Sequence, residues 1–524
     1  MRETSIRLEW FVINDYIIVG AGTAGCMLAD RLSANGKNRV LLVEAGGKPR
    51  NPFIHIPAGF AKLFKSSSDW NYDSTPQCGT SQRTIYIPRG KMLGGSANMN
   101  ALIHQWGHPA DFEEWVNSGA TGWGWDSVSP ILRKLETELE HDVNPNAHSA
   151  ASDFVDAARA VIGNSGSTYN GGDYEGAWIA QCNIRKGKRH SIFHSHLKPA
   201  LKRQNLVTLT HMAVETLIIE QGKAVGVIMN GAQGRISALA RAGVILAAGA
   251  IETPALLLRS GIGDGETLQK LGIEVECVSP HVGQHLQDHP MAVTVFATNH
   301  ADTYKTAESP KNLFKYIFTK TGPLASNAAE AIAFARSSPT LNAPDIELIF
   351  APFEWREQAL QPPAIHGFSI GAGLIAPASR GSVSLVTRHV QVQPKIDLGL
   401  FTDREGHDRK TMLAAVLLAR KVAAQSPLNA HIEGELSPGE RANDYDALFN
   451  EICRNVQTIY HPAGTCRIGD ATQGVVSSKL KVHGCDKLWI ADASVMPRLV
   501  RGHPNAAVAM IAARAAEFIS DEAR

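Results

Sequence analysis

Cysteine is scarce and scattered: seven residues, Cys26, Cys78, Cys182, Cys277, Cys453, Cys466 and Cys485, form no C-x-x-C pair. That pattern excludes both a disulfide framework and a thiolate zinc site, and it fits a reducing, cytoplasmic setting. No apolar run is long enough for a transmembrane helix. The leader Met1 to Asn14 carries three charges in its first seven residues and lacks the apolar core of a signal peptide, so export is not indicated. It reads instead as a mis-assigned start, and peripheral membrane attachment stays open. Charge of either sign is also lacking in excess. A net charge of +1 with 19% charged residues leaves no basic field for nucleic acid and no acidic tail, which points to small-molecule partners. No internal repeat or low-complexity tract interrupts the 524 residues, a length that suits two or three domains or one cofactor fold with insertions. No motif sets an oligomeric state.

What is present is concentrated first in residues 16–46. Tyr16 to Val19 is an apolar strand, Gly20, Gly22 and Gly25 make G-x-G-x-x-G, and Ala24, Leu28 and Leu32 space a helix. A second apolar strand ends at Glu44, 19 residues beyond Gly25. This is the complete dinucleotide-binding fingerprint rather than a flexible glycine loop. The glycines allow the turn, the approach of a pyrophosphate and close helix packing. Thr23 and Ala24 open the helix whose N-terminus favours the phosphates, and Ala45 follows the acid. Glu44 is placed to accept from ribose hydroxyls, which argues against a 2′-phosphate. The ligand is therefore FAD or NAD rather than NADP.

Residues 88–101, Pro-Arg-Gly-Lys-Met-Leu-Gly-Gly-Ser-Ala-Asn-Met-Asn-Ala, read equally as a second cofactor loop or as a polar surface loop. Gly94 and Gly95 permit unusual backbone, and Ser96, Asn98 and Asn100 offer hydrogen-bonding groups. Residues 205–220 and 225–229 read as strands, with a further strand from Val244 to Ala248. His281, His285 and His289 would stack on one face of a helix and could hold a metal, but Gly283 opposes a helix there, and a structural role is favoured over a metal. Trp115, Trp123 and Trp125 read as packing residues, and His141 to Ser152 as loop. From 296 to 455 the pattern turns to antiparallel strands, including Asp345 to Phe350 and Gly367 to Leu385, and a helix near Lys410 to Ala424. Phe353 and Trp355 fit pocket walls, though as isolated aromatics the core is the preferred place. The last part carries Thr458-Ile-Tyr-His-Pro-Ala-Gly-Thr-Cys-Arg-Ile-Gly469, a strand at Leu488 to Ala491, Asp492-Ala-Ser-Val-Met-Pro497, and Arg501-Gly-His-Pro-Asn505 before an Ala-rich helix.

The fingerprint, the R-G-K-M-L-G-G-S-A-N-M-N stretch, I-E-T-P-A-L-L-L-R-S-G-I-G at 251–263 and the two C-terminal stretches together resemble the glucose–methanol–choline (GMC) family of FAD-dependent alcohol oxidoreductases, in order and over nearly the whole chain. The resemblance is to the choline dehydrogenase and alcohol dehydrogenase branch. It implies an α/β fold, with a Rossmann-like FAD-binding domain from residues 14–295 and 456–524 and a substrate domain on an antiparallel sheet from 296–455. It also selects FAD over NAD. Arg89, Met92, Gly94, Gly95, Ser96, Asn98 and Asn100 are implied to lie along the pyrophosphate and flavin ring. Val214 is implied at the adenine, and Ala248 and Gly249 in a turn close to the cofactor. Asp492, Ala493, Pro504 and Asn505 complete the implied contacts. Met99 stands where some members attach FAD through a histidine, which implies non-covalent FAD. Ala97 and Asn98 stand where two serines are common, a departure that alters the local hydrogen bonding.

Matched residue by residue, His461 falls on the family's catalytic histidine and His503 on its second active-site position. The chemistry agrees: the flavin accepts hydride but offers no base for the hydroxyl proton, which a neutral imidazole can take. Asn505 reads as the N-cap of the final helix, aimed by the resemblance at the flavin N1–C2 edge. The expected activity is oxidation of a primary alcohol to an aldehyde, with an aliphatic-alcohol or choline-type dehydrogenase favoured and oxygen or a quinone or dye-type acceptor taking the electrons. An oxidase of a ring-bearing alcohol (pyridine, furan or aryl methanol) is the nearest alternative. An FAD-containing hydroxynitrile lyase is the alternative from another reaction class, and a non-catalytic flavoprotein would have lost His461.

Overall fold

The computed structural model describes residues 13–522 apart from 140, 164, 165, 173, 233, 440, 441 and 443. Most of the leader Met1 to Asn14 therefore lies outside the described residues. Ile13–Val19, an apolar run, forms the centre of a sheet ordered Leu206–Thr210, Val40–Glu44, Ile13–Val19, Gly234–Leu246, all parallel. Leu488–Ile490 adds a fifth parallel strand against Val244–Leu246, so the C-terminal part returns to the sheet begun by the N-terminus. Val40–Glu44 is buried throughout, as a parallel strand covered on both faces must be. The first half of Gly234–Leu246 instead pairs antiparallel with Lys223–Gly231, which in turn pairs with Ala213–Glu220. One long strand thus serves two sheet environments. It changes partners near Gly243, where an added Cβ would meet the Trp489 ring at 2.4 Å.

Thr23–Ser33 follows the fingerprint turn as a helix and packs against the final helix, Asn505–Glu522. Gly25 has no room for a side chain, since a Cβ would fall 1.8 Å from the Gly20 carbonyl oxygen. The turn and the helix are in direct backbone contact, the role the third glycine of this motif serves.

The second sheet is antiparallel, ordered Ile432–Ser437, Pro290–Thr298, Gly367–Leu374, Ile346–Ala351, Ala331–Ala335, Gly176–Ile179, with Gln457–Thr458 beside Pro290–Met291. Gly176–Ile179 comes from outside 296–455 and Pro290–Thr298 straddles its start, so this sheet crosses the boundary expected from the sequence. Its strands alternate strictly. Ala292, Leu348, Phe350, Phe368 and Ile370 point into a core under the helices Ser149–Ile162 and His407–Ala423. Met291, Val293, Ile349, Ala351, Ser369 and Gly371 face the opposite way, toward a cavity between the two sheets. That period of two is what aims a wall of side chains at the site.

Several local readings hold and others change. Trp115 and Trp123 are fully buried, with their indole N–H groups donated to the Arg498 and Ser478 carbonyls, which is packing as expected. The stretch read as loop, His141 to Ser152, instead enters a helix at Ser149, capped by the His148 side chain, a residue type outside the usual capping set. The 281–289 segment is not helical: Gln284–Leu286 is a strand and His285 sits at φ +63. Only His281 and His285 stack, and His289 is carried to a different place, against the ring of His461. Among the described residues no helix is long and apolar enough to cross a membrane.

Candidate active site

A cavity of about 340 Å³ runs between the fingerprint turn and the antiparallel sheet. Gly20, Gly22, Thr23, Ala24, Glu44 and Ala45 line one end, and Val214, Ala248 and Gly249 lie beside them. Arg89, Gly95, Ser96 and Asn100 border the middle, and Asp492, Ala493, Pro504 and Asn505 border it from the C-terminal part. His461 and His503 line it too, with the alternating residues of the antiparallel sheet.

Three predicted residues do not line the cavity. Met92 packs on Ile54, Leu63 and Met99. Gly94 donates its N–H to the Ala21 carbonyl at 2.7 Å, which ties the second loop to the fingerprint turn. Asn98 is fully buried, donating to the Leu93 carbonyl at 2.8 Å and accepting from the Ser191 hydroxyl at 2.6 Å. Its amide holds the loop from behind, where a buried polar group must find partners. Phe353 and Trp355, assigned above to the core, do line the cavity.

The architecture fits a dinucleotide. The helix that starts at Thr23 has no side-chain cap on its N-terminus, which leaves its first N–H groups for an anion. A Cβ on Gly22 or Gly249 would meet no protein atom within 4 Å, so both positions present bare backbone to the cavity. Arg89 brings a guanidinium whose Nε has no partner among the described residues. Glu44 accepts from the Ala21 N–H and the Gly46 N–H, each at 2.8 Å, so the turn fixes its carboxylate. Burial pushes its pKa up to about 7 despite those donors.

Asp492 is saturated by protein. It accepts from the Gly249 N–H (2.8 Å), the Thr253 hydroxyl (2.6 Å), and both the N–H (2.9 Å) and hydroxyl (2.6 Å) of Ser494. It locks the 248–249 turn to the C-terminal strand. Asn505 does not cap the final helix: it is the helix's first residue, and its Oδ1 accepts from the Thr23 hydroxyl at 2.7 Å. The capping carbonyl belongs to Pro504, which accepts from Val508 N–H at 2.9 Å. Thr23 and Asn505 thereby join the N-termini of two helices at the cavity.

A histidine cluster lines the cavity beside the antiparallel sheet. The rings of His461 and His503 stand nearly perpendicular, with centroids 5.0 Å apart, although they lie 42 residues apart in sequence. Two residues support them, His289, which the sequence offered only as one of three histidines at spacing four, and Glu347, which it did not single out. His289, fully buried, places Nδ1 3.1 Å from Nδ1 of His461. Glu347, also fully buried, places Oε1 2.9 Å from Nε2 of His503. Asp288 accepts the His461 and His289 backbone N–H groups at 2.7 and 2.8 Å, and burial raises its pKa to about 6. Gln105 accepts the His503 backbone N–H at 2.9 Å.

Burial, then the positive charge available to His503, His289 and Arg89, holds the His461 pKa well below its ordinary 6.5. His289 is pushed down to about 3, again mainly by burial. The imidazole at 461 is therefore neutral at physiological pH, in the form that can accept a proton.

A dinucleotide cradle opening onto a pair of facing histidines, one of them held neutral, defines a flavin-type oxidoreductase site. Comparison with known proteins agrees. The GMC oxidoreductase N-terminal family model matches residues 14–291 and the corresponding C-terminal model matches 377–512. An alcohol dehydrogenase [acceptor] of Pseudomonas putida is 35% identical, over 96% of this chain and 95% of its own. The crystal structure of pyridoxine 4-oxidase from Mesorbium loti superposes with a TM-score of 0.88 at 30% identity, covering 96% of this chain and 98% of that one. Formate oxidase of Aspergillus oryzae, in a structure concerned with FAD modification, gives a TM-score of 0.90 at 27% identity over 97% and 98% of the two chains. The chain belongs to the GMC oxidoreductase family, and FAD is its cofactor.

Proposed function

We propose that this protein oxidises a primary alcohol to its aldehyde, with His461 as the base and His503 as the group that orients the hydroxyl. The observation that carries the reading is the half-buried His461, its pKa held well below 6.5, beside His503 on the wall of the cofactor cavity. FAD, when bound, supplies the two-electron acceptor for the hydride. A hydrogen bond between two Nδ1 atoms holds one proton. If His461 donates it to His289, the Nε2 of His461 keeps its lone pair for the substrate hydroxyl. Glu347 as acceptor keeps a proton on Nε2 of His503, which leaves Nδ1 as the ring nitrogen that can meet the substrate hydroxyl. The N-terminus of Asn505–Glu522, with Pro504 and Asn505 on the wall, favours negative charge arriving at this end of the cavity.

Within the 88–101 loop, the residue lining the cavity where a histidine would attach FAD is Met99, which supports non-covalent binding. Acid precipitation then releases the whole of the yellow flavin into the supernatant. The wall from the antiparallel sheet, Met291, Val293, Ile349, Ala351, Phe353 and Trp355, carries no charge and suits a hydrocarbon-like alcohol. The likeness to the Pseudomonas putida enzyme supports a dehydrogenase of aliphatic alcohols that passes electrons to a quinone or dye. The aromatic rings of that wall, with the likeness to pyridoxine 4-oxidase, favour as the second reading an oxygen-using oxidase of ring-bearing alcohols. All seven cysteines are free, which supports residence in the cytoplasm.

The test is an anaerobic screen of alcohols for bleaching of the bound flavin, followed by air. Rapid recovery in air identifies an oxidase, and bleaching that persists until a quinone is added identifies a dehydrogenase. His461→Ala should slow flavin reduction by roughly 10²–10⁴-fold. Full-rate reduction in that variant would remove His461 from the mechanism, and cyanide release from aryl cyanohydrins without bleaching would favour a lyase.

A further inference from the structure

We propose that His104, Glu136 and His141 form a site for a divalent transition-metal ion of the zinc type, separate from the flavin cavity. His104, only 2% exposed, sits in the chain segment that leaves the second cofactor loop, and neither of its ring nitrogens has a partner among the described residues. Its ring stacks on that of His141, centroids 4.1 Å apart and 17° from parallel. His141 Nε2 lies 3.1 Å from Glu136 Oε1, near the end of the helix Trp125–Leu139, and His141 Nδ1 has no partner among the described residues.

One ligand atom from each of the three lies within 4.8 Å of the others, and the candidate site is empty. A buried imidazole with both nitrogens unmatched is unfavourable unless something completes it. Two neutral histidines and a carboxylate are a zinc-type donor set, and bonds of about 2.0–2.2 Å need only side-chain rotation to close on an ion. Glu136, with 31% of its side chain exposed, leaves an entry path and room for water as a fourth ligand.

The second histidine group, His148, His300 and Asp302, is already paired by hydrogen bonds and needs no ion. A metal at the first group would brace the helix against the segment whose next residue, Gln105, holds the backbone of His503.

The test uses chelator-treated, desalted holoenzyme titrated with zinc, reading bound metal by elemental analysis and melting by flavin fluorescence. Wild type and His300→Ala should each hold one equivalent and melt higher with zinc. His141→Ala and Glu136→Gln, at partly exposed positions, should lose both effects with an unchanged flavin spectrum. Equal zinc in all four proteins, or none in wild type, would overturn the site.

A separate observation concerns the helix Pro310–Thr319. Leu313, Phe314, Ile317 and Phe318 are 41, 64, 60 and 68% exposed and form one strip at i, i+4 spacing, with the two phenylalanine rings 4.3 Å apart. Lys305, Lys311, Lys315 and Lys320 flank the strip, and the neighbouring acid Glu308 is paired with Lys62. We infer that this face docks on an anionic lipid surface, because an apolar strip with a cationic rim complements acyl chains beneath acidic headgroups. The helix is adjacent to the cavity mouth through the segment Pro57–Leu63, whose Phe60 lines it.

Holoenzyme should co-sediment with phosphatidylglycerol–phosphatidylcholine vesicles and not with phosphatidylcholine alone. A Phe314→Ser, Phe318→Ser double variant should lose binding while oxidising a water-soluble alcohol at the wild-type rate. Failure of wild type to bind, unchanged binding by the variant, or concentration-dependent dimerisation through this face without vesicle binding would overturn it.

Discussion

Glu347→Gln tests how the antiparallel sheet controls the chemistry. The substitution keeps the shape of the side chain and removes one charge from a fully buried position 2.9 Å from Nε2 of His503. The acceptor oxygen can be retained, so packing should survive, but the charge-assisted component of the hydrogen bond is lost. Hydrogen bonds to charged groups contribute about 1.5–3 kcal/mol, against about 0.5–1.5 for neutral ones. At 1.36 kcal/mol per decade, losing the difference of about 1–1.5 kcal/mol slows the step that depends on it by roughly 5- to 13-fold. The assay is single-turnover flavin reduction under anaerobic conditions, with the flavin spectrum and melting temperature as controls for folding. The expected result is a slower limiting rate with little change in the alcohol concentration at half-saturation, because Glu347 touches His503 and not the cavity. A reduction rate within about twofold of wild type, well under the 1.5 kcal/mol bond assumed, would show that His503 needs no carboxylate partner and would refute the reasoning.

Other perturbations separate fold from chemistry. Gly95→Ala places a Cβ 2.7 Å from Gly22 Cα at φ +51, adding roughly 1–2 kcal/mol of backbone strain where the two loops touch. The purified protein should carry less FAD per chain by absorbance, and full occupancy would contradict the close approach. The pH dependence of kcat/KM follows from His461: only the neutral ring accepts a proton, so activity falls as pH drops through its pKa, which burial and nearby cations hold well below 6.5. The acid limb should therefore lie below 6.5, and a limb at or above that value would show that another group controls activity. Phe350→Ala, at a fully buried ring between Phe154 and Phe368, should destabilise by about 3–5 kcal/mol in denaturant unfolding, while an effect below 1 kcal/mol would mean the core refills.

The parts of this protein legible in sequence are those built from contiguous residues with a period or a fixed spacing. The fingerprint turn with Glu44, the helix near 410–424 and the strands of the first sheet depend on local pattern, and they appear close to where they were read. Asn505 was misread because capping preference describes the residue, whereas here Thr23, 482 residues away, claims its side-chain oxygen. Asn98 was misread for the same reason: an amide in a cofactor loop looks like a ligand until Ser191 and the Leu93 carbonyl occupy it. His289 was visible only as one of three histidines at spacing four, and the helix that spacing suggested does not form.

Glu347 shows why the rest of the site is hidden. In Asp345-Ile-Glu-Leu-Ile-Phe350 the alternation gives the parity, Leu348 and Phe350 on one face and Glu347, Ile349 and Ala351 on the other. On an ordinary antiparallel sheet the face bearing a glutamate meets water. Here that face closes over the cofactor cavity, because Gly176–Ile179 and Pro290–Thr298 extend the sheet and Leu488–Ile490 returns the C-terminal part to the parallel one. Only that closure converts a surface-looking carboxylate into a buried acceptor for His503. The same closure partly desolvates His461 and lowers its pKa, so the step that hides the acid from sequence reading also sets the state of the histidine proposed as the base.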